Sequence, residues 1–176
     1  MKTIKDKTFV RLIDKQKIQK RIQELADKIS KDFDGKNPIF LGVLNGSFMF
    51  LSDLMKNLEI ECQMSFLKVN SYKQLSSSGT IKELIGINED LENRHVIIVE
   101  DIVDSGRTMA WIINTLEPKK VASIHIASLL LKPKALQIPI KVDYCGFEIE
   151  NDFVLGYGLD YDGYGRNIPE IMVLKS

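Results

Sequence analysis

The 176-residue sequence predicts an α/β domain: a central, mainly parallel twisted sheet flanked by helices, with a small irregular hood formed largely by the C-terminal region. Three observations predict it. Short, continuous apolar runs such as Ile39–Leu44 and Val96–Val99 read as strands buried on both faces. Segments of helical period separate them, as a parallel sheet with crossover helices requires. The last third is denser in strand-like runs and broken by Pro133 and Pro139, which suits a flap better than another strand–helix repeat.

The elements follow in order. Ile18, Ile22, Leu25, Ala26, Ile29 and Phe33 share one helical face, and Asp34-Gly35-Lys36-Asn37-Pro38 ends that helix. Ile39–Leu44 is a buried strand closed by Asn45-Gly46-Ser47. Phe48, Leu51, Leu54, Met55 and Leu58 then resume helical spacing. Glu61–Val69 reads as a strand, and the polar stretch Asn70–Thr80 as a loop of the kind that serves as a lid. Val96–Val99 is a strand with a helix, Met109–Leu116, behind its turn. Val121–Leu131 and Lys141–Phe147 supply further strands. The chain reads as a single domain over 1–176, with a mobile loop at about 70–83 and a hood segment at about 133–176.

Bulk properties exclude several classes. Hydrophobic residues make up 44% and charged residues 27%, so the chain is neither disordered nor fibrous. Lys plus Arg and Asp plus Glu both number 24, leaving no net field to hold nucleic acid or an anionic membrane. No run approaches the roughly 20 apolar residues of a bilayer span. The N-terminal stretch lacks the apolar core of a secretory signal, and a cytoplasmic location is expected. Cys62 and Cys145 have no metal-like spacing and read as reduced thiols in strand-like runs.

Chemistry concentrates in Val96-Ile97-Ile98-Val99-Glu100-Asp101-Ile102-Val103-Asp104-Ser105-Gly106-Arg107-Thr108. In an open α/β sheet, ligands bind beyond the carboxyl ends of the strands. The turn Ser105–Thr108 offers backbone N–H groups, two hydroxyls and a following helix N-terminus, all suited to a phosphate. Glu100 and Asp101 suit a sugar's vicinal hydroxyls, a Mg²⁺ shell, or both. Asp104 is spaced to handle a proton. A phosphorylated sugar is the predicted ligand. Taken alone, an acidic strand end before a capping turn is more often solvated surface; the combination carries the functional reading.

This segment resembles the phosphoribosyl-diphosphate-binding signature of the type I phosphoribosyltransferases. Phe153–Tyr161, Tyr164-Gly165-Arg166-Asn167, Leu44-Asn45-Gly46-Ser47, Ser71-Tyr72 and Ser128–Lys132 are similar, in order, to segments of the hypoxanthine phosphoribosyltransferases. The resemblance implies Mg²⁺-dependent transfer of phosphoribosyl from phosphoribosyl diphosphate to hypoxanthine or guanine, giving IMP or GMP and pyrophosphate. By it, Glu100 and Asp101 hold the ribose and its metal, Asp104 is the acid/base, and Ser105, Gly106, Arg107 and Thr108 bind the 5′-phosphate. Lys132 meets the 6-oxo group, Phe153 stacks on the base, and the Val154 backbone reads its edge. Asn45, Gly46, Ser71, Tyr72 and Arg166 bind pyrophosphate, and Asp160 helps hold a second metal ion. A homodimer or homotetramer is also implied. Asn45 departs from the pattern, because lysine is common there; Arg107 replaces another common lysine and keeps its charge.

The residues also admit bland roles: Lys132 as a solvated strand end, Phe153 as core, and Asp160–Arg166 as a surface ion pair. Two other functions fit the same pattern. One is a related transferase for xanthine or a pyrimidine; the other is a non-catalytic nucleotide-sensing or RNA-binding regulator. Charge neutrality and the lack of a basic, aromatic-interleaved stripe weigh against RNA.

Overall fold

The computed structural model describes residues 1–71, 81–87 and 89–175, with backbone alone at 70, 71 and 81–85. Strands β1 (Lys2–Ile4) and β2 (Lys7–Ile13) precede helix α1 (Lys15–Asp32). Then come β3 (Ile39–Leu44), α2 (Phe48–Asn57), β4 (Gln63–Ser71), β5 (Ile81–Ile85), β6 (His95–Val103) and α3 (Arg107–Leu116). The chain continues through β7 (Ser123–Leu131), β8 (Tyr144–Glu148), β9 (Val154–Leu155) and β10 (Ile171–Leu174).

The central sheet has the order β5-β4-β3-β6-β7-β8. Its β4, β3, β6, β7 and β8 are mutually parallel, and β5 is an antiparallel edge. Because strand side chains alternate, one set of apolar residues faces each way. Phe40, Ile97, Val99, Ala127 and Leu129 pack with α1 and α2. Ile39, Leu41, Val43, Val96, Ile98 and Ile126 pack with Met109, Ile112 and Leu116 of α3 on the other side. This is why β3 and β6 read as unbroken apolar runs. Helix α1 starts where the Asp14 carboxylate accepts from the Lys17 N–H at 2.9 Å. It buries the predicted stripe Ile18, Ile22, Leu25, Ala26 and Ile29, and its large aliphatic residues contribute about 1.5–3 kcal/mol each.

Several boundaries differ from expectation by a few residues, and two of them bear on the site. Strand β6 runs on through Val103, so Glu100 and Asp101 lie within its last turns of pleat and not beyond it. Pairing with Ser128, Leu130 and Leu131 of β7 carries the ladder past the point where apolar residues stop. Strand β4 extends to Ser71 and β5 begins at Ile81, because the two form a hairpin. The expected lid, including Tyr72, then falls largely on 72–80, outside the described residues.

The hood is an antiparallel sheet in the order β1-β2-β10-β9. Its C-terminal strands are joined by two from the other end of the chain. Periodicity does not reveal these: in β2, Phe9 and Ile13 are buried while Arg11, at the position between them on the same face of a regular strand, is exposed, and apolar Leu12 is 43% exposed on the other. A small cluster of Phe9, Leu155, Ile168 and Met172 forms the hood's own core.

Tyr157 ties the hood to the helices. It sits with positive φ between Gly156 and Gly158, and its side chain is fully buried. Its hydroxyl donates to Asp53 of α2, and Gln19 of α1 donates to Asp53 at 2.7 Å and to the Tyr157 oxygen at 3.3 Å. Burial pushes the Tyr157 phenol well above its ordinary pKa, and the Asp53 bond adds to this. Burial alone would raise Asp53, but hydrogen bonds from Lys56, Tyr157 and Gln19 outweigh it and hold the carboxyl below its ordinary 3.8.

Tyr157→Phe leaves Asp53 short of a donor in a half-buried site. The expected cost is about 1–3 kcal/mol, read as a Tm lowered by roughly 3–10 °C. Because the folded Asp53 has the lower pKa, its contribution is complete above about pH 4 and is lost as pH falls further. The gap between parent and variant therefore narrows on acidification, checked by thermal melts at pH 7 and pH 3.

Candidate active site

Where the chain leaves β3 it goes to β4 on one side, and where it returns it continues from β6 through β7 to β8 on the other. The crevice beyond the carboxyl ends of β3 and β6 is the topological switch point of the sheet, the usual ligand position in open α/β folds. A cavity of about 580 Å³ opens there. It is lined by Asn45 and Gly46 from β3's end, Glu100 and Asp101 of β6, Asp104–Thr108 of the following turn, and Asp160 and Arg166 from the hood.

The turn after β6 is pinned from outside. The Ser105 carbonyl accepts N–H bonds from Gln137 (3.0 Å) and Ile138 (3.2 Å), and Gly106 caps α3 in the left-handed region at φ +79°. A Cβ at Gly106 would lie 2.7 Å from the Ile138 carbonyl oxygen. The first N–H groups of α3 have no partner within the helix and point, with the positive end of its dipole, toward the cavity. The N-cap Gly106 has no side chain to cap α3, and among the described residues the one side-chain acceptor at its start is Ser105 Oγ, 3.4 Å from the Arg107 N–H. The arrangement is an anion cradle made of backbone.

Glu100 and Asp101 are 6% and 9% exposed. The Asp101 N–H donates to Glu100 Oε1 at 3.2 Å, and the Ile102 N–H to Asp101 Oδ1 at 2.8 Å. Among the described residues, no cation lies within ion-pair distance of either. Burial and then the Asp101 charge push the Glu100 carboxyl well above the ordinary carboxylate range. Burial also raises Asp101, opposed by bonds from Glu100 and the Ile102 N–H and by the charge of Arg166. Two buried acids without a cation suit a ligand that brings hydroxyl donors or a hard divalent ion. No group of three or more potential metal ligands occurs among the described residues. An ion held here would keep water or ligand oxygens in its shell, as Mg²⁺ does.

On the opposite wall, the Leu44–Asn45 peptide bond is cis. A Cβ at Gly46 would lie 1.5 Å from Asp101 Oδ2, and one at Gly158 would lie 1.9 Å from the Gly46 carbonyl oxygen. Arg166 Nη1 donates to the Gly158 carbonyl at 2.6 Å, and Nη2 pairs with Asp160 Oδ1 at 2.6 Å. The second Asp160 oxygen accepts from the Gly163 N–H at 2.6 Å. Both Asp160 oxygens thus have protein donors, and its place beside the cavity comes with a structural bond to Arg166.

The base-side residues lie outside this lining. Lys132, 8% exposed at the end of β7, puts Nζ 3.7 Å from Asp104 Oδ2. Phe153 stands 42% exposed in the hood, and Val154 is buried in the edge strand β9. Ser71 ends β4, with only its backbone described. Cys62 and Cys145 are free and half-buried, with burial raising both thiols. Among the described residues, no helix is long and apolar enough to cross a membrane. Sequence reasoning did not find Gly158, Tyr157 or Asp53. The Gly-Tyr-Gly triplet was their one visible signal, since alternating glycines mark backbone that must turn or approach closely.

Comparison with known proteins places this geometry. The family model for the phosphoribosyl transferase domain matches residues 11–162. The hypoxanthine-guanine phosphoribosyltransferase of Streptococcus pneumoniae is 40% identical over 165 residues, covering 93% of this chain and 92% of that protein. The bifunctional protein TilS/HprT of Listeria innocua is 39% identical over 165 residues, and this chain spans 26% of its length. A crystal structure of a hypoxanthine phosphoribosyltransferase from Staphylococcus aureus superposes with a TM-score of 0.91 at 37% identity, over 97% of this chain and 93% of that one. An anion cradle and an acid pair facing each other at a switch point are what a phosphorylated sugar requires, and the chain carrying them belongs to the phosphoribosyl transferase domain family.

Proposed function

We propose that this chain works in purine salvage, transferring the 5-phosphoribosyl group of phosphoribosyl diphosphate to hypoxanthine, and to guanine, with IMP or GMP and pyrophosphate as products. The observation that carries the choice of base is the Lys132–Asp104 pair, 3.7 Å apart beside the anion cradle. A 6-oxopurine presents an acceptor at O6 and, in its N7–H form, a donor next to it. Lys132 offers a donor and Asp104 an acceptor in matching order. A 6-amino group would set donor against donor, and a buried mismatch of this kind is discriminated by orders of magnitude.

In this reading the 5′-phosphate binds the N–H groups of Ser105–Thr108, with Arg107 adding charge. The ribose hydroxyls donate to Glu100 and Asp101. Asn45, Gly46 and Arg166 take the pyrophosphate, together with Ser71 and Tyr72 of the expected lid at about 70–83. Asn45 contributes no charge where relatives often have lysine, so its backbone does the binding. Phe153 offers its exposed face to the base, and the open side of edge strand β9 leaves Val154 backbone groups free to read it. Bond formation from N9 to C1′ accompanies cleavage of C1′–O, the electron pair leaving with pyrophosphate. Asp104 accepts the N7 proton. Glu100 and Asp101 would hold one Mg²⁺ and Asp160 would help hold a second on the pyrophosphate side, where the ions would neutralise charge on the leaving group. Phosphoribosyl diphosphate is a highly charged phosphate ester that does not cross a membrane unaided, which supports the expected cytoplasmic location; the expected state is a homodimer or homotetramer.

With phosphoribosyl diphosphate and Mg²⁺, hypoxanthine and guanine are expected to give IMP and GMP, and adenine none. Absence of product from both 6-oxopurines at high enzyme concentration would sink the proposal, and comparison with xanthine and a pyrimidine measures its breadth. Asp104→Asn is expected to lower kcat about 10²–10⁴-fold, with the KM for phosphoribosyl diphosphate changed much less; an unaltered kcat would remove the proton-transfer role.

The acid pair has a stability consequence. A carboxyl whose pKa is raised by folding opposes folding above its unfolded value, near 4.5 for Glu100, and the penalty grows as pH rises toward the folded value. Glu100→Gln is therefore expected to raise Tm at pH 7 while lowering transfer activity. A lower Tm would show that the pair is compensated within the protein itself.

A further inference from the structure

The hood holds a cluster that the proposed reaction leaves unexplained. Lys7, on β2, places its ammonium 4.5 Å from the centre of the Tyr161 ring and 5.5 Å from that of Phe153. Among the described residues it has no carboxylate within ion-pair distance, so ring faces take the place of a counter-ion. The two rings meet edge to face, 5.8 Å apart at 83°. Phe9, two residues along β2, lies 6.2 Å from Phe153 and 6.3 Å from Tyr161, beneath both.

Tyr161 is fixed at its far end. Its hydroxyl donates to Asp6 Oδ1 at 2.9 Å, and that bond is the main cause holding Asp6 below the ordinary carboxylate range. Lys5 pairs with Asp162 and lies 5.1 Å from the centre of the Tyr164 ring. The β1–β2 turn therefore grips the 160–164 turn through three consecutive residues, Lys5, Asp6 and Lys7. Phe153 is the member of the cluster left 42% open.

We infer that Lys7 is a positioning residue for purine binding: seated on Tyr161, it caps part of the Phe153 ring and fixes its tilt, so that the open surface meets the base already ordered. The inference rests on the reading of Phe153 as the base-stacking ring. A half-exposed phenylalanine without such a cap samples several rotamers, and ordering it on binding weakens affinity. A cation over an aromatic face at a partly exposed site accounts for an effect of about three- to tenfold on base affinity. Lys7 lines none of the phosphate or acid wall, so the effect falls on the base alone.

The test compares Lys7→Met, which keeps the chain and removes the charge, with Lys7→Arg, which keeps a cation. The KM values for hypoxanthine and phosphoribosyl diphosphate are measured, together with the Kd of IMP by calorimetry. Lys7→Met should raise the hypoxanthine KM and the IMP Kd about three- to tenfold, leave the KM for phosphoribosyl diphosphate near the parental value, and be largely rescued in Lys7→Arg. Parental hypoxanthine KM and IMP Kd in Lys7→Met would overturn the inference. So would equal defects in both variants, or a parallel rise in both KM values with a fall in Tm. A parent that binds IMP but transfers nothing fails the proposed reaction alone, and the IMP Kd values then decide the role of Lys7. A parent that binds no IMP overturns both.

Discussion

One contact constrains the rest of the site: the Asp101 carboxylate fills the space that a side chain at residue 46 would take. Gly158 packs in turn on the Gly46 carbonyl, so three segments far apart in sequence meet with no room for a methyl group. Beyond Gly158, Arg166 closes the stack through its bond to the Gly158 carbonyl and its pair with Asp160. Displacing any member moves the acids, the Asn45–Gly46 wall or the hood. Close packing of this kind has little slack, because a shift of a few tenths of an ångström must be taken up by backbone.

The stack is held from two directions. Beneath it, β3 and β6 are adjacent parallel strands whose register, Ile39 with Val96 through Gly42 with Val99, fixes how far each carboxyl end projects. Above it, Tyr157 turns away from the cavity into the α1–α2 face, where Asp53 and Gln19 hold its hydroxyl. Three residues of positive φ in succession let the backbone of 156–158 face the site while the side chain between them faces the helices. Tyr157 thus supplies a hydrogen-bonded anchor for the hood beside the apolar contacts of Ile13, Val154, Leu159 and Ile171, and Lys7, Asp6 and Lys5 grip its outer turn from the N-terminal hairpin.

How much of this the sequence makes visible follows from what each element depends on. Strand β3 is legible residue for residue, because burial on both faces leaves an unbroken apolar run between clear turn residues. The anion turn is legible because its chemistry is local: glycine, hydroxyls and a helix start within a few positions. Strand β6 reads too short, since buried acids imitate a strand end and only the ladder to β7 shows otherwise. Strands β1, β2 and β10 have no pattern of their own. They exist by pairing across the full length of the chain, Ile171 with Ile13 and Leu174 with Phe9, and no local window contains that information. For the same reason Lys7 is invisible as a site residue: its partners, Tyr161 and Phe153, are about 150 positions away.

The electrostatics give the site its logic. A backbone cradle attracts an anion to one side of the cavity, while on the other stands a buried acid pair that has no cation at ion-pair distance among the described residues. A bare phosphate ester would be drawn by the first and repelled by the second. A ligand that satisfies both must carry an anionic group at one end and hydroxyl donors or a bound cation toward the other, at the span between Thr108 and Glu100. Folding desolvates Glu100 and Asp101, and a ligand that brings hydroxyl donors or a cation offsets that cost. Folding stability and ligand specificity are set against each other in the same two side chains. The apolar layers on both faces of the sheet are what allow the fold to tolerate it.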